Sequence, residues 1–158
     1  MALKKYSQKR DFSKTKEPGG YKKNKKDKLS KDQNKKRIFV IQFHQASHDH
    51  FDLRLEMGGI LKSWAIPKEP PKSKGIKRLA IQVEDHPLNY ANFQGTIPEG
   101  SYGAGKVEIW DKGEYILKSK NSNKIEFTLK GKKLDGDFVL IKTNYGSNPE
   151  KNWIWFKI

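Results

Sequence analysis

From Arg37 onward apolar and polar positions alternate along most of the chain, and the clearest run is His50-Phe51-Asp52-Leu53-Arg54-Leu55. In extended backbone Phe51, Leu53 and Leu55 project to one side, and His50, Asp52 and Arg54 to the other. Ile38-Phe39-Val40-Ile41-Gln42-Phe43-His44 reads as a second strand, with Gln42 and His44 sharing a face. The five residues Gln45 to Asp49 between the two runs predict an antiparallel hairpin, which sets His44 beside His50 and Asp52.

The pattern continues downstream. Met57-Gly58-Gly59 turns the chain into Ile60–Ile66, which Pro67 closes, and Pro67 to Gly75 is a Pro- and Lys-rich loop. Arg78 to Asp85 alternates, with Leu79, Ile81 and Val83 on one face and Arg78, Ala80, Gln82, Glu84 and His86 on the other. The glycine-rich stretch Tyr90 to Lys106 reads as a structured loop. After it come Val107–Trp110, a turn at Asp111-Lys112-Gly113, then Tyr115–Leu117, Ile125–Leu129, Phe138–Ile141 and Trp153–Ile158. Eight or nine short strands, with turn signals between them and no long helical period, predict a mainly β antiparallel barrel or sandwich with short helices. Gly100-Ser101-Tyr102-Gly103-Ala104-Gly105 has the glycines of a phosphate-binding loop but neither its Lys-Ser/Thr ending nor its strand-to-helix setting.

Charge divides the chain in two. Residues 1–37 hold 15 Lys and Arg against 4 Asp and Glu, whereas residues 38–158 hold 18 against 14. The basic leader, 1–36, carries too few apolar residues to fold alone. Lysines at that density are drawn to a polyanion by counterion release, so nucleic acid is the expected partner, against the plainer reading of a solubilising tail. Within it, Lys9 to Pro18 mixes both charge signs with Phe12, which is placed to anchor residues 1–20 on the folded body; residues 21–36 read as a flexible, partly disordered linker to a domain at 37–158. There is no cysteine, and no apolar stretch approaches the ~20 residues of a membrane span, so a cytoplasmic protein without a membrane partner is expected.

Three of the four histidines fall between His44 and His50, and two of these share a face with Asp52. Two imidazoles and a carboxylate form a ligand set for a divalent metal with open positions. Arg54, two residues on, can meet an anion that such a metal holds.

Several segments together carry a family likeness. Phe39-Val40-Ile41-Gln42-Phe43-His44, His50-Phe51-Asp52-Leu53-Arg54-Leu55-Glu56, Leu61-Lys62-Ser63-Trp64-Ala65-Ile66-Pro67-Lys68, Val83-Glu84-Asp85-His86-Pro87, Gly95-Thr96-Ile97-Pro98-Glu99-Gly100 and Tyr102-Gly103-Ala104-Gly105 resemble the 3′-phosphoesterase domain of bacterial ATP-dependent DNA ligase D. The leader's Lys9-Arg10-Asp11-Phe12 and Thr15-Lys16-Glu17-Pro18 match that family's N-terminal motif. The resemblance implies a compact antiparallel β-barrel of about eight strands. It implies a manganese-dependent enzyme that removes a 3′-terminal ribonucleoside from a primer strand and then the remaining 3′-phosphate, leaving a hydroxyl. It implies a primer-template as substrate, a separate ligase or polymerase and Ku as partners, and a monomer resembling the stand-alone versions of the domain. Cobalt and zinc are the other metals such a site admits.

Carried over by motif, the metal ligands are His44, His50 and Asp52, and the phosphate-contacting catalytic pair is Arg54 and His86. Gln42, Lys68, Arg78, Tyr90 and Arg10 are implied as substrate or phosphate contacts, with Asp11 and Glu17 supporting the site from a folded-back leader. Two roles follow as expectations: His86 protonates the leaving oxygen or stabilises the phosphorane-like state, and Glu17 orients a ligand histidine. The loop Ser47-His48-Asp49 departs from the family, where Arg or Leu is more common, and puts a rival imidazole, His48, near the metal. The competing reading is a non-catalytic nucleic-acid-binding barrel in which Trp64, Trp110 and Tyr102 stack bases.

Overall fold

The computed structural model describes residues 3–19, 36–144, 146 and 148–158. Its strands are β1 (Arg37–Gln45), β2 (His50–Met57), β3 (Ile60–Ile66), β4 (Lys77–Pro87), β5 (Gly95–Ile97), β6 (Gly105–Lys120), β7 (Lys124–Lys130), β8 (Asp135–Lys142) and β9 (Asn152–Lys157). Neighbouring strands run antiparallel in the order β1-β2-β3-β4-β9-β8-β7-β6-β5, and β1 also pairs β6. Eight strands therefore close a barrel, with β5 added outside on β6. Among the described residues helix is confined to α1 (Lys4–Gln8) and a 3₁₀ turn at Leu88–Asn92. The linker expected over 21–36 lies, residue 36 apart, outside the described residues.

Period-two alternation gives each strand an inner and an outer face, and two cores result. The lumen is filled by Phe39 and Ile41 of β1, Leu53 and Leu55 of β2, Trp64 and Ile66 of β3, and aromatic residues of β6 to β9 that include Tyr115, Phe127, Phe138 and Trp155. Trp64 is thus sealed inside the barrel, so it cannot stack bases. A second apolar cluster lies on the outer wall of β1, β3 and β6, where Val40, Leu61 and Val107 are covered by Tyr6 of α1 and by Tyr90, Ala91 and Phe93. The even-numbered residues of β1 and β2 share that outer wall, which is why a polar site can be buried there without perforating the barrel.

Bulges account for two departures from strict alternation. Leu61 pairs His86 while Ser63 pairs Val83, so two steps along β3 face three along β4. The extra residue on β4 moves His86 onto the face of Ile81 and Val83, opposite to Arg78, with which alternation had placed it. A second slip, between Ile41 and Gln42 of β1, lets β6 bulge at Trp110 and run unbroken through Asp111-Lys112-Gly113, which had read as a turn. Gly113 is required there, since a Cβ would stand 2.3 Å from the Lys130 carbonyl oxygen.

Asp111 faces inward beside Ile41, and its carboxylate accepts the backbone N–H groups of Lys132 (2.9 Å), Lys133 (3.1 Å) and Leu134 (2.9 Å). One buried side chain thereby fixes the whole β7–β8 connection. Asp111→Ala leaves those donors without their acceptor and is expected to cost about 3 kcal/mol of stability, read as a lowered urea midpoint with an unchanged slope. An unshifted midpoint would show that water replaces the carboxylate at no cost.

Candidate active site

The β1–β2 register places His44 directly opposite His50, and Gln42 opposite Asp52. On the outer wall, His50 Nε2 lies 3.4 Å and His44 Nδ1 4.0 Å from the same Asp52 carboxylate oxygen. One ligand atom from each of the three residues falls within 4.8 Å of the others. His50 Nδ1 donates to the His48 carbonyl at 2.9 Å, which fixes the tautomer and leaves Nε2 as the acceptor aimed at the cluster. His44 Nε2 is buried and has no hydrogen-bond partner among the described residues. A closed carboxylate between two imidazoles, one of them holding an orphaned buried nitrogen, is a donor set that suits a borderline divalent cation.

Arg54 lies alongside. Its Nε donates to Gln42 Oε1 at 2.7 Å, its Nη2 is 3.5 Å from Asp52 Oδ2, and its guanidinium lies 4.8 Å from the centre of the Tyr90 ring. Gln42 is itself anchored, donating through Nε2 to the carbonyls of Tyr90 (2.9 Å) and Phe93 (3.1 Å). The remaining Arg54 nitrogen, Nη1, is buried and unpartnered among the described residues. A guanidinium held on three sides, with its last donors unspent, is prepared to grip an anion's oxygen.

Electrostatics follow from this packing. Burial would push the Asp52 carboxyl up, but Arg54 and the two imidazoles outweigh it and hold the group below the usual carboxylate range. Burial lowers His44, and Asp52 only partly offsets that, so His44 favours the neutral, metal-binding form. Burial also acts to lower His50, but the hydrogen bond and opposite charge that Asp52 offers its protonated form prevail and raise it.

Residues of the leader pack over this wall. Tyr6 of α1 is fully buried, its hydroxyl donates to the Pro18 carbonyl, and its ring lies edge-on to His86 (4.9 Å) and Tyr90 (6.0 Å). Arg10 stacks over Tyr6 at 4.0 Å and donates to Glu17 Oε2 (2.9 Å) and Glu84 Oε2 (3.3 Å), and its Nη2 reaches His86 Nε2 at 3.3 Å. Glu17 also accepts the Tyr90 hydroxyl at 2.8 Å, and Glu84 takes the Lys9 ammonium at 3.0 Å. Two buried carboxylates thus hold two cations of the leader against the barrel.

The sequence model of the DNA Ligase D 3′-phosphoesterase domain matches residues 42–142. This chain belongs to that family. It is 43% identical over 161 residues to the multifunctional non-homologous end joining protein LigD of Pseudomonas aeruginosa, covering 99% of this chain and 18% of that protein. It is 44% identical over 146 residues to the multifunctional non-homologous end joining DNA repair protein LigD of Mycobacterium tuberculosis, covering 90% of this chain and again 18% of the relative. The chain therefore spans about a fifth of the length of these curated relatives.

In this phosphoesterase-family chain the structure brings together His44, His50, Asp52, Arg54, His86, Arg10, Glu17, Gln42 and Tyr90, but it reassigns several of them. Gln42 has no solvent exposure and spends its amide on Arg54 and two carbonyls, so it holds Arg54 rather than substrate. The Tyr90 hydroxyl is engaged by Glu17, and the ring supports Arg54. Glu17 bonds Arg10, Thr15 and Tyr90, not a ligand histidine. His86 Nδ1 must donate to the Glu84 carbonyl at 3.0 Å, so Nε2 accepts from Arg10. Burial, with Arg54 and then Arg10 nearby, holds His86 well below its usual pKa. In this neutral tautomer the imidazole accepts from Arg10 and so orients that guanidinium.

Others stand apart from the cluster. Asp11 is exposed and accepts from Ser13, capping a turn of the leader. Lys68 is exposed in the loop after β3, and Arg78 donates to the Glu69 carbonyl at 2.6 Å. Because Ile66 pairs Phe51 and Ile81 pairs Ala65, Lys68 just after β3 and Arg78 near the start of β4 lie toward the end of the barrel that carries His50. His48 is exposed, contributes only its carbonyl, and is not among the clustered ligands. Phe12, expected as the anchor, is 38% exposed; Tyr6, Thr15 and Glu17 are buried in its stead. Tyr6 and Glu84 escaped sequence reasoning, although both left signals. Tyr6 and Arg10 are four residues apart, the spacing of neighbours on a helix, and two adjacent cations, Lys9 and Arg10, call for an acid.

Glu84→Ala removes the acceptor shared by Lys9 and Arg10. The expected outcome is roughly tenfold faster tryptic cleavage within residues 4–16, with barrel melting little changed. Equal cleavage rates in the variant and the parent protein would show that the leader is held by Tyr6 and Glu17 alone.

Proposed function

We propose that this chain is a metal-dependent phosphoesterase that heals 3′ ends of DNA, removing a terminal ribonucleoside and then the 3′-phosphate to leave a hydroxyl. One observation carries the reading. The donors of His44, His50 and Asp52 cluster, and Asp52 Oδ2 stands 3.5 Å from a guanidinium whose last nitrogen is unspent, within a chain of the ligase D phosphoesterase family. His44, His50 and Asp52 would hold the cation, with manganese the first candidate and cobalt or zinc the others. When bound, it supplies positive charge at the scissile phosphate and lowers the pKa of a water.

The chain's own groups do the rest. Arg54 Nη1 grips a non-bridging oxygen, and Gln42 and Tyr90 keep the guanidinium from rotating. Arg10 brings a second guanidinium to the same pocket, oriented by Glu17, Glu84 and the acceptor nitrogen of His86. Two fixed guanidiniums facing a charge that grows in the transition state need no rearrangement to stabilise it. Basic residues of the leader add sequence-independent attraction to the duplex. The relatives' names place them in non-homologous end joining, and a ligase, a polymerase and Ku are the partners this reading assigns.

The reading is tested by incubating the protein with a primer-template bearing a 3′-ribonucleotide or a 3′-phosphate, with each metal in turn. Nucleoside and inorganic phosphate should be released, and a chelator should stop both. Asp52→Ala and His50→Ala should reduce release below detection, and Arg54→Ala by about 10²- to 10³-fold. Independently of turnover, a hundredfold excess of metal over its Kd should raise the melting temperature by about 5–10 °C in the parent protein and not in Asp52→Ala. Full activity in Asp52→Ala, or no thermal shift with any metal, rejects the ligand assignment.

A further inference from the structure

Tyr102 stands out at the edge of the candidate site. It is 47% exposed, more than any other Phe, Tyr or Trp of the described residues, and of the network above only Lys9 and Arg10 approach its ring. Lys9 Nζ lies 4.8 Å and the Arg10 guanidinium 5.3 Å from its centroid, and Lys9 donates to its hydroxyl at 3.3 Å. The same Arg10 touches His86. One residue on, Gly103 is so close to His44 that a Cβ would lie 3.5 Å from the imidazole Cε1. The ring therefore sits between the leader cations and the first metal-ligand candidate.

The loop that carries it is held by backbone. Gly100 and Gly103 have φ of 85° and 73°, a region other residues avoid, and short turns run from Pro98 to Ser101 and from Ser101 to Ala104. At Gly105 a Cβ would stand 1.9 Å from the Gln45 carbonyl oxygen, so the loop's end is pressed onto the very hairpin that bears His44 and His50. An exposed aromatic on a fixed loop has little rotamer freedom left to lose on binding.

We infer that Tyr102 is a nucleobase-stacking subsite, taking the base of the 3′-terminal nucleotide while its phosphate lies by Arg54. This rests on the proposed function and deepens it. A base has a π-face whatever its sequence, so such a platform grips the end without reading it. Lys9, held over the ring by Glu84, then pairs with the backbone of the same strand. The terminal sugar spans from the ring to the phosphate pocket, so the platform sets how far an end must reach in. A base-paired or unpaired terminal nucleotide can satisfy it, whereas an end lacking its base cannot.

The experiment uses the full chain with a primer-template ending in 3′-phosphorylated 2-aminopurine. Its fluorescence reports stacking, and phosphate release reports turnover. Tyr102→Phe keeps the ring and loses the Lys9 hydrogen bond, whereas Tyr102→Leu loses the ring. The expected result is quenching by the parent protein and Tyr102→Phe but not by Tyr102→Leu, with KM raised about 5- to 10-fold in Tyr102→Leu and kcat nearly unchanged. On a terminal abasic 3′-phosphate, the parent protein and Tyr102→Leu should perform alike. Quenching that survives in Tyr102→Leu overturns the inference, as does an equal loss in Tyr102→Phe, which would make the residue a mere partner of Lys9. If Tyr102-dependent quenching occurs but no phosphate is released, the subsite stands and the catalytic reading falls.

Discussion

Asp52 is a carboxylate removed from water, and such a group stays charged only where cations are supplied from within the fold. Arg54 supplies the nearest one, on the same strand and the same face, and His44 and His50 lean on the same oxygen from either side of the hairpin. The surrounding arrangement can be traced to that requirement. Arg54 needs its own neighbours, so Gln42 accepts from it and Tyr90 lies beneath it. Gln42 in turn fastens the 3₁₀ turn through two carbonyls, and Tyr90 fastens the leader through Glu17. A chain of short polar contacts thus runs from the ligand cluster to the N-terminal segment.

The barrel makes this affordable by separating two tasks across one sheet. Its lumen is packed with aromatic and aliphatic side chains and gives the stability. Its outer wall over β1 to β4 holds the buried polar groups, roofed by Tyr6, Tyr90 and Phe93 rather than by solvent. Polar residues placed in the lumen would each need partners in a space filled by tryptophan and phenylalanine; on the wall, leader and loop residues provide them.

The hairpin, its register and the convergence of His44, His50 and Asp52 follow from period-two alternation and a short loop, both of them local properties of the chain. The mainly β architecture is read from the same source. What escaped depends on long-range contacts. The β4 bulge that moves His86 off the face of Arg78 comes from pairing with Leu61 and Ser63, and the bulge at Trp110 from pairing with β1. Burial, invisible to alternation, turned Gln42 and Tyr90 from groups that would meet substrate into groups that hold Arg54, and withdrew Trp64 from any surface role. Phe12 was the more hydrophobic choice for an anchor, yet Tyr6 lies where the helix faces the barrel and also offers a hydroxyl to Pro18.

β1 is the seam of the barrel, bonded to β2 on one side and to β6 on the other. His44 pairs His50 six positions away and Val107 more than sixty positions away in sequence, and Gly103 touches its ring from the β6 side. The donor cluster thus reaches its final shape only when segments far apart in sequence have met, an entropically slow kind of contact for a chain to form. A nascent or half-folded chain would carry the hairpin with its histidines but neither the glycine loop nor the cover over Arg54. Closure of the barrel and completion of the cluster's surroundings therefore arrive as a single event.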